Sequence, residues 1–293
     1  MRSRSMSPDS PIAILDSGIG GLAVVRALQA QLPHERILYF GDTARTPYGW
    51  KSAATVGGFV SQIVHYLRGY DPKHVVIGCN TATALAMNAI KKEFPELSLS
   101  GIVEPGARAA IEEAGAKRFP LIAIMATEAT IWSKAYERAI HRRRHHARLL
   151  LRPAPMLVPL VEEARDPGDA LVKLALEQYL QPLVQRGADV LILGCTHYTI
   201  LKPIIRKMVG PTMRLIDSSQ KCADDVARRL QTANLLYGGP GNGSLRCFVT
   251  DDSPRFRVLA TKFLGHEPQP PVLVTPDELY LAGASNAAGR FTG

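Results

Sequence analysis

Two cysteines stand in nearly matching settings, Cys79 in VVIGCNTATA and Cys195 in LILGCTHYTI, 116 residues apart. In each, a run of buried-type residues (Val75, Val76, Ile77 and Leu191, Ile192, Leu193) meets a glycine, the cysteine, and then small hydroxyl or amide residues ahead of a helix-compatible stretch. That order reads as a parallel strand running into a turn and a helix N-terminus. A thiol has a reference pKa of about 8.5, close enough to neutrality for modest tuning to make it a base while a partner thiol donates. Two such thiols facing one bound carbon would take a proton from one face and return a proton to the other. A single base serves both faces only if the intermediate turns over inside the site.

Placement supplies part of the tuning. A cysteine at a helix N-terminus meets unpaired amides and the positive end of the helix dipole, which favour the thiolate. The amides of Asn80-Thr81 and Thr196-His197 suit carboxylates, or negative charge developing at a reacting carbon. The turn DSGIGG at 16–21 lacks the G-x-G-x-x-G order, and its opening acid would repel phosphate. It therefore reads as a tight turn placing Asp16 and Ser17 over a small ligand. A carboxylate beside a thiolate raises the thiol's pKa, so Asp16 suits a proton relay or a partner for an ammonium group. His197 could bind a carboxylate or return a proton to Cys195, or be satisfied within its own turn. Tyr48 and Gly49, in RTPYGW, reach the mouth through a turn fixed by Pro47, unless the tyrosine ring simply caps the core. No lysine environment of the pyridoxal type is evident, so stabilising a carbanion-like state demands a closed, ordered site.

The elements that must position these groups are duplicated. Ile12-Ala13-Ile14-Leu15 precedes Asp16-Ser17, and Leu121-Ile122-Ala123-Ile124 precedes Ala126-Thr127; from Ser17 to Cys79 is 62 residues and from Thr127 to Cys195 is 68. Two copies of one α/β unit explain that spacing. Thr127 then holds in the second copy the place of Ser17 in the first, as a ligand hydroxyl or a helix cap. Strand-like runs near 12–15, 37–40, 74–78, 98–102, 120–125, 148–151, 189–193 and 213–216 alternate with helical periodicity, as in GLAVVRALQAQL and ALVKLALEQYLQPLVQRG. The expected fold is α/β: two similar, pseudo-twofold lobes with largely parallel sheets and a site in the cleft between them, one thiol from each. Residues 1–100, completed by 211–265, make the first lobe, and 101–210 the second; the Pro/Gly-rich segment 266–293 is expected to be a flexible tail.

Composition narrows the class. At 293 residues the chain suits two lobes, and four cysteines without a close CxxC pair fit neither a disulfide scaffold nor a zinc site. Cys222, in a helical run, and Cys247, in strand-like LRCFVT, read as ordinary buried thiols. No apolar run precedes Pro11 and none approaches about 18 residues, so a soluble cytoplasmic protein is expected. Much of the net charge of +9 is local, in YERAIHRRRHHARLL with Arg138, Arg142, Arg143, Arg144 and Arg148. That patch reads as a solvated surface, and alone it is weak support for nucleic-acid association.

The motifs ILDSGIGG (14–21), GDTARTPYG (41–49), GCNTATA (78–84), EPG (104–106), ATEATIWSKAY (126–136), PLVE (159–162), LGCTHY (193–198) and IDSS (216–219) together resemble the glutamate racemases, within the aspartate/glutamate racemase superfamily, over roughly residues 11–265. The resemblance implies interconversion of L- and D-glutamate without cofactor or metal, supplying D-glutamate to peptidoglycan precursors. It implies Cys79 and Cys195 as the acid/base thiols, assisted by Asp16 and His197. Substrate contacts fall on Asp16, Ser17, Tyr48, Gly49, Asn80, Thr81, Thr127, Thr196 and His197, with Glu162 at the edge of the site unless it is an ordinary surface carboxylate. A homodimer and no membrane association are also implied. Where family members commonly have proline after CTHY, this chain has Thr199, which alters the start of the following helix and removes no proton carrier. The alternatives are a racemase of another acidic amino acid such as aspartate, an enzyme with one nucleophilic cysteine, or a noncatalytic amino-acid-binding or gyrase-associated protein, the last a side role that the resemblance raises and the basic patch supports only weakly.

Overall fold

The computed structural model describes residues 7–281. Among them, strands β1 (Ile12–Asp16), β2 (Arg36–Gly41), β3 (His74–Ile77) and β4 (Leu99–Gly101) are followed by β5 (Leu121–Ala126), β6 (Arg148–Pro153), β7 (Val190–Gly194) and β8 (Arg214–Asp217), then β9 (Ser244–Val249) and β10 (Val272–Leu273). They form two sheets, ordered β10-β9-β2-β1-β3-β4 and β6-β5-β7-β8, with every neighbouring pair parallel. The order β2-β1-β3-β4 repeats as β6-β5-β7-β8, so the duplication read from the cysteine contexts extends to whole sheets. The strands IAILD, HVVI, LIAIMA and VLILG are buried at every position rather than at alternate ones. Such strands need cover on both faces, and helices between consecutive strands provide it.

One apolar cluster runs between the two sheets. It takes Ile12 and Ile14 from β1, Ala123 and Met125 from β5, and Leu191 and Leu193 from β7. The helices Leu22–Gln31 and Ser218–Thr232 pack on each other inside this cluster through Val24, Val25, Leu28, Cys222, Val226 and Leu230. A fully buried aliphatic side chain contributes about 1.5–3 kcal/mol, so the lobes are joined by a shared core rather than by a linker. Separate clusters cover the outer faces, around Leu15, Phe40 and Ile77 on the first sheet and around Ile124, Ile140 and Ile192 on the second.

Two boundaries differ from expectation. β8 pairs with β7, so the second sheet runs to Asp217 rather than ending at residue 210. The expected tail is not free of the core: β10 extends the first sheet beside β9, and Val274 and Leu279 are buried beneath it. The prolines there bracket a short strand and begin a helical turn, where Thr275 and Glu278 cap each other reciprocally. Residues 282–293 of that segment lie outside the described residues.

The basic segment lies on the surface of the second lobe. Arg142 and Arg143 both pair with Glu104, while Arg144 donates to the carbonyls of Gly115 and Lys117. Among the described residues no helix is long and apolar enough to cross a membrane.

Candidate active site

The C-terminal ends of β1 and β3 in one sheet and of β5 and β7 in the other open onto one small cavity. From the first lobe it is lined by Ser17, Tyr48, Gly49, Cys79, Asn80 and Thr81, and from the second by Thr127, Cys195, Thr196 and His197. Both thiols, one from each lobe, thus wall the same space. Thr46, Pro47 and Val158 also line it. Pro47 is the residue expected to fix the turn at the mouth; Thr46, just before it, and Val158, just before PLVE, carry no signal of their own in the sequence.

The cysteines differ in their surroundings. Cys79 is the N-cap of the helix Asn80–Glu93: its Sγ accepts from the amide of Ala82 at 3.4 Å and donates to Ser17 Oγ at 3.4 Å. The Ala82 amide and Ser17 favour the thiolate, the direction expected of a helix N-terminus, but burial, reinforced by the neighbouring Asp16 carboxylate, outweighs them and pushes the thiol up to about 12. Cys195 precedes a 3₁₀ turn, Thr196–Leu201, rather than an α-helix, and takes no amide capping bond on its side chain. Its Sγ lies 3.8 Å from His197 Nδ1.

His197 connects that thiol to a carboxylate, with its Nε2 3.1 Å from Glu162 Oε1. Burial opposes charge on the ring, but the bonds to Cys195 and Glu162 outweigh it and raise the histidine to about 10. Glu162 is drawn down by the same histidine in spite of its own burial, and Thr46 Oγ1 approaches it at 3.5 Å. Glu162 is therefore a half-buried partner of His197 and not an ordinary surface carboxylate.

Asp16 lies beneath the cavity wall, fully buried. Burial raises its carboxyl, opposed by His197 and by the amides of Gly18 and Gly21. Thr196 Oγ1 donates to Asp16 Oδ2 at 3.4 Å, and Gly18 N to Oδ1 at 3.0 Å. None of Gly18, Gly20 and Gly21 takes the left-handed conformation. The turn needs glycine for space: a Cβ on Gly20 would lie 2.7 Å from His197 Nδ1 and closer still to Thr196 Oγ1.

Two residues beyond Cys79, the Thr81 hydroxyl bridges the lobes to Thr127 at 2.9 Å and Thr130 at 3.2 Å, which lie 2.9 Å from each other. Thr127 caps the short helix Glu128–Trp132 and also lines the cavity. Tyr48 does likewise: its ring packs in the first lobe's outer core, and its hydroxyl donates to the buried Asp42. Thr199, in place of proline, donates to Asp217 Oδ1 at 3.2 Å, bracing the residue that caps the helix Ser218–Thr232.

The model of the family described as Asp/Glu/hydantoin racemase matches residues 22–224. The glutamate racemase of Neisseria gonorrhoeae is 43% identical over 255 residues, which are 87% of this chain and 93% of that protein. A solved glutamate racemase isoform from Bacillus anthracis superposes with a TM-score of 0.85 at 35% identity, covering 91% of this chain and 98% of its own. The glutamate racemase of Francisella tularensis, solved in complex with D-glutamate, superposes with a TM-score of 0.83 at 33% identity, covering 92% and 98%. With identity spread over most of its length and duplicated parallel sheets aligning with solved relatives, the chain belongs to the Asp/Glu/hydantoin racemase family.

Proposed function

We propose that this protein interconverts L- and D-glutamate by a two-cysteine acid/base mechanism and supplies D-glutamate for peptidoglycan synthesis in the cytoplasm. The observation that carries the mechanism is the meeting of Cys79 and Cys195, from different lobes, in one cavity. The substrate assignment draws on the names of the relatives.

One thiolate removes the α-proton, leaving a carbanion-like carbon, and the opposite thiol protonates that carbon from its other face. No atom is lost, and each turnover exchanges the protonation states of the two sulfurs. In one direction Cys79 begins as thiolate and Cys195 as thiol; in the other the roles are reversed. Asp16 stands by Cys79 and His197 by Cys195, so each sulfur has a group through which its proton can be restored. The amides that open the turns at Asn80-Thr81 and Thr196-His197 bind the carboxylates and oppose charge at the α-carbon. The burial of both cysteines also excludes water from the developing carbanion. The homodimer expected from the resemblance stays part of this proposal, and light scattering on the purified chain checks it.

Purified protein incubated with L-glutamate and no added cofactor should produce D-glutamate by chiral chromatography, and L-aspartate in parallel should remain unconverted. Cys79→Ser and Cys195→Ser should each lower turnover by about a hundredfold or more. Folded wild-type protein that leaves L-glutamate unchanged contradicts the assignment; a fully active Cys→Ser variant contradicts the mechanism.

A further inference from the structure

Three motif residues have no part in the chemistry above: Gly106 of EPG, Tyr136 of SKAY and Ser218 of IDSS. They meet behind Asn80. The Tyr136 hydroxyl donates to Asn80 Oδ1 at 2.7 Å, Asn80 Nδ2 donates to Ser218 Oγ at 3.3 Å, and the Ser218 hydroxyl donates to the carbonyl of Leu193 at 2.7 Å.

The direction of this chain is set at its far end. A backbone carbonyl only accepts, so Ser218 commits its single proton to Leu193 and faces Asn80 as an acceptor. Asn80 must then turn its amide nitrogen toward Ser218 and its carbonyl toward Tyr136. Burial keeps the Tyr136 phenol protonated and able to donate. Asn80, Tyr136 and Ser218 are all buried, so a reversed amide would leave mismatched polar atoms away from water. Gly106 makes room for the arrangement, because a Cβ there would stand 3.2 Å from the Tyr136 hydroxyl and 3.4 Å from Ser218 Cβ.

The consequence lies on the cavity side of Asn80. Its carbonyl, which would repel a carboxylate, is occupied by Tyr136, and one of its two amide protons is occupied by Ser218. The other belongs to a residue that lines the cavity directly beside Cys79. We infer that Tyr136 and Ser218 are positioning residues that lock the Asn80 amide with only its N–H available to ligand, so that this wall selects an anionic group. Under the racemase reading, on which the inference rests, that group is a substrate carboxylate.

A double-mutant cycle tests this. Tyr136→Phe should raise KM for L-glutamate about tenfold while kcat stays within about threefold, and Ser218→Ala should follow the same pattern. In an Asn80→Ala background, Tyr136→Phe should change KM by less than about twofold, because the group it acts through is gone. Loss of kcat with KM unchanged, or losses that multiply in the double variant, overturns the inference. Failure of the wild-type protein to turn over glutamate would instead bring down the racemase reading, and nitrogen-15 NMR would still decide the amide's role. The Asn80 side-chain N–H pair, identified by its absence in Asn80→Ala, should exchange slowly with solvent in the wild type and faster in Tyr136→Phe; equal exchange in both overturns it.

Discussion

His197 has partners on both ring nitrogens, Cys195 at 3.8 Å and Glu162 at 3.1 Å, and its proton is held until about pH 10 rather than the ordinary 6.5. A raised histidine contributes stability that is fully present below its unfolded value and is lost as pH rises through the folded one, here from about 6.5 to about 10. Protonated His197 is the form that serves Cys195 in this account, so kcat/KM should fall on an alkaline limb near pH 10. Glu162→Gln removes one of the groups holding the proton, so the limb should move to lower pH; a pH–rate profile identical to wild type contradicts the linkage. Gly20→Ala should cost about 1–3 kcal/mol of stability in urea unfolding and displace His197, with activity falling more steeply than stability. The cysteines were legible in the sequence because each carries its local context, strand, glycine and small polar residues. The pairing of His197 with Glu162 was not legible, since it joins positions 35 residues apart through a fold. The glycines of DSGIGG read as a tight turn, but what Gly20 supplies is space for Thr196 and His197 of the opposite lobe, which no local pattern reveals.

At the level of elements, all-apolar runs made the central strands plain, and the hydroxyl and amide residues after them marked the turns. The helix N-terminus beside Cys79 was legible, and its amide acts in the expected direction, but the burial that outweighs it was not, because it depends on what the rest of the fold brings against the thiol. The segment after Gly265 was misread from its prolines and glycines. Thr275-Pro276-Asp277-Glu278 carries a helix-start signature, with proline in the first turn and reciprocal capping by Thr275 and Glu278. Leu279, fully buried one residue later, anchors this element to the first lobe's core. Leu279→Ala should therefore cost about 2–4 kcal/mol in urea denaturation, whereas a change under about 0.5 kcal/mol would return this segment to the surface.

For the whole molecule, the shared apolar cluster between the sheets limits how the cleft can work. Wide separation of the sheets would expose Ile14, Met125 and Leu193 of that cluster to water, a cost of about 1.5–3 kcal/mol for each side chain fully exposed. In a Cys79→Ser, Cys195→Ser double variant, D-glutamate should slow amide exchange at both Asn80–Ala82 and Thr196–Tyr198; protection in one lobe alone contradicts a ligand held between them. That the two lobes share a core was not visible in the sequence, because the helix Ser218–Thr232 follows the second sheet in the chain and packs on the first lobe. The central claim is that two thiols act from opposite faces of one carbon. Its most direct test is the early time course of L-glutamate in deuterated water, following the isotope at the α-carbon of both enantiomers by chiral separation and mass spectrometry. Two thiols predict D-glutamate carrying solvent deuterium from the first turnovers while the remaining L-glutamate is still protiated. D-glutamate that retains the original proton would mean one base carrying it across, and would contradict the account.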